Sequence, residues 1–459
     1  MMKKRFCLFF LLLIGTHVSG QSAFDTQSVF EADEASSVSP LTWSGYYEFE
    51  PRYFIKDLAP ADHETIHVLD LSFQIDKEKI AMKGDFRVHH TGDVNLSLNE
   101  LYVSAYLGRV QIHAGNQVIV WGKGDELHIL DVINADDYWD FFFPDYLRRR
   151  RGENMIRMNT IIGPYDWNAN LEIVYTPGFS KMTFPTSGPW QPPVYRALYT
   201  ILEAYPGIVL SEESYDELED GQLAARWTQT VGRFDLGFSV YRGKLRTPSV
   251  RFTPDPTSSS GPTGTITLLN NPVTVIGMEG GTALGKLNLR GEAGRYITAD
   301  TKGNKPYIHN SKWSLLVGGD INLPIHHLNL NIQYQKDFVP EEKTNSMLPG
   351  FEDIAQGLAI QLGLEPALFE GGILNNYYDF HLLTARLADS FFREQFKPEI
   401  QWVYNMDAKD YMITLKLNQK LTEGLYVTGI YRRFEGKPGT LFGQYNNNDF
   451  VSLRMEYQF

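Results

Sequence analysis

The sequence predicts an all-β fold: a transmembrane antiparallel up-and-down β-barrel of about 18 strands, with 16 as the alternative, and long extracellular loops of which at least one folds into the lumen. Three observations predict it. Short segments of alternating apolar and polar residues recur from Trp43 to Phe459. Their connections alternate between tight turns and long loops. No segment beyond the first twenty residues is long and apolar enough to cross a bilayer as a helix, although the aromatic share, 13%, is high.

The chain opens with Met-Met-Lys-Lys-Arg, an apolar run Phe6–Ile14 and the small residues Ser19 and Gly20. This is the pattern of a signal peptide, expected to be cut after Gly20. The single cysteine, Cys7, lies inside it, so disulfides and thiol chemistry are excluded from the mature chain. Removing Lys3, Lys4 and Arg5 from the 42 Lys+Arg leaves 39 basic against 55 acidic residues, a formal charge of −16, which argues against a nucleic-acid partner.

Residues 21–40 are small and polar, and are expected to form a mobile N-terminal segment ahead of a single barrel domain, 41–459. In the first strand Trp43, Gly45, Tyr47 and Phe49 face one way, Ser44, Tyr46, Glu48 and Glu50 the other. Leu69, Leu71, Phe73 and Ile75 oppose Asp70, Ser72 and Gln74; Ile80, Met82, Phe86 and Val88 oppose Lys83, Asp85, Arg87 and His89. The parity slips near Asn99, which predicts a bulge, before Leu101, Val103, Ala105 and Leu107 oppose Glu100, Tyr102 and Ser104. Val110, Ile112 and Ala114 lead to a strand end at Trp121, and a new strand starts near Met155. Trp167–Tyr175 alternates, and 177–220 reads as a second long loop. After Leu223–Trp227 and Phe234–Val240 comes a Ser/Thr/Pro/Gly loop over 245–265, then a strand over Pro272–Leu284. Leu287–Ala293 and Trp313–Ile321 follow; Leu328, Leu330, Ile332 and Tyr334 then oppose Asn329, Asn331, Gln333 and Gln335. Residues 339–373 form a third long loop with helical spacing over Asp353–Phe369. Strands near Tyr377–Ala388, Ile400–Tyr404, Tyr411–Leu417, Leu425–Tyr431 and Val451–Phe459 complete the set. Turns such as Asp76–Glu78, Gly108–Arg109, Gly232–Arg233 and Thr422–Gly424 are tight, as at the periplasmic end of a barrel.

The densest chemistry lies between Val118 and Arg157. Here Trp121 is followed by the acids Asp136, Asp137 and Asp140, the aromatics Trp139, Phe141, Phe142, Phe143 and Tyr146, and the run Arg148, Arg149, Arg150, Arg151. The arginines either line a constriction and attract anions, pair with the local acids, or hold lipopolysaccharide phosphates outside. The aromatics either guide a ring-bearing solute or form the small core that folds the loop. On the strands, Arg87, Arg109, Arg157, Arg226 and Arg290 share the inward parity with Glu100 and Glu172. Opposed acids and bases order water and select solutes in a narrow pore; equally, they pair across strands.

No catalytic signature competes with this reading. Gly122-x-Gly124 lacks a phosphate loop and its helix. The pairs His89-His90 and His326-His327 point to opposite strand faces, so neither makes a metal site. No catalytic residue, metal or cofactor is expected.

Phe459 ends the chain as the last apolar residue of an alternating strand, which resembles the terminal signature of Gram-negative outer-membrane proteins that the barrel assembly machinery reads. Gly115–Asn134, with W-G-K-G-D and D-V-I-N, resembles a strand and loop of porin-like families. The resemblance implies a porin-like outer-membrane barrel, with outer-membrane lipid, lipopolysaccharide and the assembly machinery as partners and a small solute as cargo. Two other readings stay open: a closed barrel acting as surface receptor, adhesin or structural anchor, with other outer-membrane or periplasmic proteins as partners, and a transporter of hydrophobic compounds.

Overall fold

The alternating segments pair into one closed sheet. The computed structural model describes residues 41–56, 61–92, 94–140, 146–215, 220–255, 263–302, 308–339, 381–438 and 440–459. Its strands in chain order are β1 (Leu41–Phe54), β2 (His63–Lys77), β3 (Ile80–His90), β4 (Val94–Leu107), β5 (Val110–Gln117), β6 (Glu153–Ile162), β7 (Ala169–Thr176), β8 (Ile208–Glu212), β9 (Gln222–Val231), β10 (Phe234–Lys244), β11 (Ser249–Pro254), β12 (Gly264–Leu269), β13 (Pro272–Leu284), β14 (Leu287–Thr298), β15 (Lys312–Asn322), β16 (Asn329–Phe338), β17 (His381–Ala388), β18 (Phe396–Asn405), β19 (Asp410–Thr422), β20 (Leu425–Glu435) and β21 (Phe450–Gln458). Eighteen of them form the barrel, each antiparallel to the next, and β8, β11 and β12 form a small separate sheet. The barrel closes where β21 pairs with β1, Tyr47 opposite Tyr457 and Phe49 opposite Met455. Phe459 exchanges both backbone hydrogen bonds with Gly45 at 2.9 Å.

The two faces of the sheet are chemically inverted relative to a protein built for water. Outward side chains are apolar and open: Trp43 (64% exposed), Ile156 (54%), Phe238 (51%), Val317 (57%) and Leu453 (49%). Inward ones include Glu48, Asp70, Glu172, Glu279, Glu292 and Gln333, all buried. Such a surface is stable only where hydrocarbon replaces water around it. Among the described residues no helix is long and apolar enough to cross a membrane.

The tight turns gather at one end, and several need the left-handed backbone that glycine tolerates, as at Gly108 (φ 66°) and Gly285 (φ 65°). The predicted bulge is present: Asp85 opposes Glu100 and Phe86 opposes Leu98, so Asn99 is the extra residue.

Four expectations are corrected. β5 stops at Gln117 rather than Trp121, because Val118–Trp121, though alternating, turns away from the sheet. The second long loop carries a helix, α1 (Pro193–Ala204), and β8; the loop at 245–265 carries β11 and the start of β12. Finally, the inward face is not polar throughout. Leu316, Leu382, Val403 and Met412 point inward and are buried in one cluster with Trp190, Phe434 and Phe442. The N-terminal segment, the helical stretch at 353–369 and the start of the strand near Tyr377 lie outside the described residues.

The register makes a depth prediction. Val317 is central in β15 and faces out, so Val317→Arg is expected to destabilise the barrel by about 2–4 kcal/mol in lipid. Leu330 also faces out but is the second residue of β16, beside a tight turn. Leu330→Arg should therefore cost only about 0–1 kcal/mol. Denaturant unfolding in lipid vesicles measures both, and equal costs would reject the register.

Candidate channel constriction

The segment that leaves the sheet at Gln117 returns at Glu153, and its described residues, 118–140 and 146–152, run through the barrel. Asn134, 1% exposed, ties the two ends together. Its Oδ1 accepts from Ile119 N at 2.8 Å, and its Nδ2 donates to the carbonyls of Gln117 and Arg151, each at 2.8 Å.

From there the loop reaches one wall. The Glu292 carboxylate on β14 accepts four backbone N–H groups: Lys123 and Gly124 at 2.7 Å on one oxygen, Ile129 at 2.9 Å and Leu130 at 3.1 Å on the other. Gly122-x-Gly124 is thus an anion nest whose anion is a side chain of the same protein. A Cβ on Gly122 (φ 107°) would sit 2.4 Å from Glu292 Oε1, and one on Gly124 1.8 Å from the Leu127 carbonyl oxygen. Beside it Gln333 Oε1 accepts from Glu126 N at 2.9 Å and Leu127 N at 3.0 Å. Asp125 receives Arg290 and, at 2.5 Å, Asn331 Nδ2; Glu126 receives Gln401 Nε2 at 2.9 Å.

Trp139 and Asp140 are fixed to the other wall. Trp139 stacks on His89 of β3 at 4.3 Å, and Asp140 takes a two-pronged bond from Arg52 of β1 at 2.6 and 2.9 Å. Because β1 and β3 lie across the closed sheet from β14 and β16, the loop spans the interior. Its apolar residues anchor it as well: Ile119, Trp121 and Ile133 pack with Met155, Val174, Tyr241 and Val275 of the wall.

The arginine run lies along this crossing. Arg148 donates to Glu48 at 2.9 Å and sits 5.6 Å over the Tyr46 ring, while Arg87 donates to the Arg148 carbonyl at 2.8 Å. Arg149 is 3.4 Å from Asp136 and 4.9 Å over Tyr146. Arg150 pairs with Asp131 at 2.5 Å and Asp136 at 3.4 Å, and donates to the carbonyl of Asn134 at 2.8 Å. Arg151 is exposed, and its backbone N–H donates to the Ala135 carbonyl. Asp137 accepts from Thr183 Oγ1 at 2.7 Å. Burial pushes Asp131 up to about 6, against the pull of Arg150. Burial also pushes the His128 imidazole down to about 3, helped by Arg150 and Arg149, so His128 is neutral and stacks on Tyr146 at 4.2 Å.

Of the loop aromatics, Trp121 is buried and donates Nε1 to Glu172 at 3.2 Å, and Tyr146 donates its hydroxyl to Asp131. Phe141, Phe142 and Phe143 lie outside the described residues. On the walls Arg87 meets Asp70 at 2.9 Å, Lys83 meets Glu100 at 2.5 Å and Arg157 meets Glu172 at 3.1 Å. Arg226 pairs with Glu279, and Arg290 with Asp125 and Asp320. Arg109 sits apart, in the tight turn before β5, donating to the Gly163 carbonyl at 2.7 Å and lying 4.5 Å over Tyr165.

Sequence reasoning missed Arg52, Asn134 and the anchoring roles of Glu292 and Gln333. Extending the parity of Glu48 and Glu50 by two residues places Arg52 inward; nothing local marks Glu292 as a nest ligand.

Among the described residues no group of three or more His, Cys, Asp or Glu side chains is placed to hold a metal ion. No family model and no curated protein sequence matches the chain. Among solved structures, it is similar to OpdQ of Pseudomonas aeruginosa, at 8% identity and a TM-score of 0.51 over 92% of this chain and 99% of that one. Acinetobacter baumannii OccAB4 matches at 10% identity and a TM-score of 0.48, over 91% and 97%. Pseudomonas aeruginosa OccK11 (OpdR) matches at 10% identity and 0.47, over 91% and 95%. The likeness to OpdQ is one of fold: this chain is a porin-like, closed antiparallel barrel of 18 strands.

Proposed function

We propose that this chain is an outer-membrane channel, exported by its leader, through which small polar or charged solutes diffuse. The observation that carries the reading is the seat of the loop between Gln117 and Glu153, fixed to opposite walls of a barrel whose inward face holds paired acids and bases. A loop held in this way narrows the interior with a fixed array of charges, which is what selection by size and charge requires. The mature chain, refolded in detergent and added to a planar bilayer, should produce discrete conductance steps.

Within this reading Arg148–Arg151, with Asp136 and Asp137, bias the ions that pass. Replacing all four arginines by Gln should shift the reversal potential in a salt gradient towards cations. Each substitution removes one positive charge, and at 148, 149 and 150 it also leaves a facing carboxylate uncompensated, so the shift should build up over the four positions. Charges outside the permeation path are screened within about 8–10 Å. An unchanged potential in a folded quadruple variant therefore rejects this role.

The buried apolar cluster of Leu316, Leu382, Val403, Met412, Phe434 and Phe442 favours a second reading, a barrel filled on one side that serves as a receptor or anchor. A heat-modifiable barrel that inserts and never conducts would support it.

A further inference from the structure

The outward face of the barrel is not uniformly neutral. From β10 round to β17, the outward positions carry Arg242, Lys244, Arg295, Lys336 and His381, and among the described residues of these strands none carries a carboxylate. The acids of the same strands, Asp235, Glu279, Glu292, Asp320 and Asp337, all have the opposite parity and face in. On these strands the carboxylates are therefore confined to the inward face, where Arg290, Lys312 and Arg386 pair with carboxylates, while the outward face carries cations without acids.

Arg242 and Arg295 define the centre of this face. Arg295 lies in register between Ile276 (53% exposed) and Trp313 (49% exposed), so it points outward. Its guanidinium lies 5.3 Å over the Trp313 ring, and its Nη1 has no hydrogen-bond partner. Arg242 is exposed and opposite Thr274, one outward row nearer the loops, two strands from Arg295. The guanidinium-bearing strands are thus about 10 Å apart across the sheet. Lys336, over Phe338 at 5.5 Å, flanks them on β16. Arg242 is two residues, and Arg295 three, from the loop end of its strand, roughly 6–10 Å along it. On the membrane reading this places both guanidiniums near the headgroup level on the long-loop side. Lys244 finds Asp220 at 2.9 Å in a loop, but Arg242 and Arg295 have no carboxylate partner among the described residues.

We propose that Arg242 and Arg295, with the Trp313 ring between lipid and headgroup, form a site for a phosphate-bearing lipid headgroup of the outer leaflet. Guanidinium forks match phosphate oxygens in charge and geometry. Tryptophan settles at the membrane interface, its ring in the apolar layer and its N–H towards the headgroups. The site rests on the membrane reading, because in water these arginines would need no partner.

The test uses the mature barrel in detergent, after its insertion into bilayers has been checked. The probes are a diphosphorylated glucosamine-disaccharide lipid, its dephosphorylated form and inorganic phosphate. Native mass spectrometry should show retention of the diphosphorylated lipid at least ten times that of the dephosphorylated one. Arg242→Gln/Arg295→Gln should remove most of that preference, and Arg433→Gln, an outward arginine already paired with Glu435 at 2.7 Å, should leave it intact. The double variant should fold as well as the parent, since two cations have been taken off the lipid face. Equal retention of the two lipids, an undiminished preference in the double variant, or full displacement by inorganic phosphate would each overturn the proposal. A chain that never enters a bilayer would overturn the membrane reading itself, and the site with it.

Discussion

Glu292→Gln should free the loop between Gln117 and Glu153 from its wall while leaving the barrel standing. The Glu292 side chain is fully buried, and each of its oxygens accepts two main-chain N–H groups. A glutamine keeps one acceptor oxygen and turns an NH2 group towards the other two donors. Two charge-assisted bonds are lost and two buried N–H groups are left facing a donor, a combined cost of about 2–4 kcal/mol. The loss is local, because Gln333 and the strand ladder around β14 are untouched. Amide exchange should therefore accelerate at Lys123, Gly124, Ile129 and Leu130, by roughly 30- to 700-fold at about 1.4 kcal/mol per decade. Exchange in the strands should not change. In a bilayer the same variant should give noisier currents than the parent. If those four amides exchange at the parental rate, Glu292 is not the anchor.

The loop shows what could and could not be read from residues alone. The barrel was legible because the side-chain period of a strand is two and a membrane wall demands opposite chemistry on its faces, so parity survived across the whole chain. Even the bulge at Asn99 left its mark as a slip in that parity. The strand end was misplaced by four residues, because Val118–Trp121 keeps alternating while Asn134, far along the chain, pulls it inward. The small sheet was invisible for a related reason: β8 is five residues long and pairs in parallel with β12 across more than fifty residues. Chemical density marked the loop as important, and the structure places Arg148, Arg149 and Arg150 in ion pairs along it. Its anchors are another matter. Glu292, Gln333 and Arg52 look like any inward polar residue until the fold brings a backbone nest or a carboxylate against them.

Arg52→Met should be among the most damaging single changes in the molecule. Arg52 is 2% exposed and donates to Glu50 at 2.7 Å, Glu64 at 3.0 Å and Asp140 at 2.6 and 2.9 Å. Three carboxylates from β1, β2 and the loop thus converge on one guanidinium. Burial disfavours charge on Asp140, yet Arg52 overrides this and holds its carboxyl below the usual value. A carboxyl lowered by folding stabilises the fold above its unfolded value, about 3.9, and releases that stability only as the pH falls through its folded value. At pH 7 the contribution of Asp140 is fully present. Methionine fills the space but leaves the acids facing one another, with Arg454 at 2.7 Å from Glu50 and the buried Arg432 beside them offsetting part of the loss. Breaking a buried ion cluster on one side costs about 3–5 kcal/mol. The double variant Arg52→Met/Asp140→Asn should recover part of that, because it removes one of the uncompensated charges. Unfolding of the two variants and of Asp140→Asn alone, in the same detergent, closes the cycle. Strict additivity would mean that Arg52 and Asp140 do not meet, and the seat of the loop on β1 would have to be abandoned.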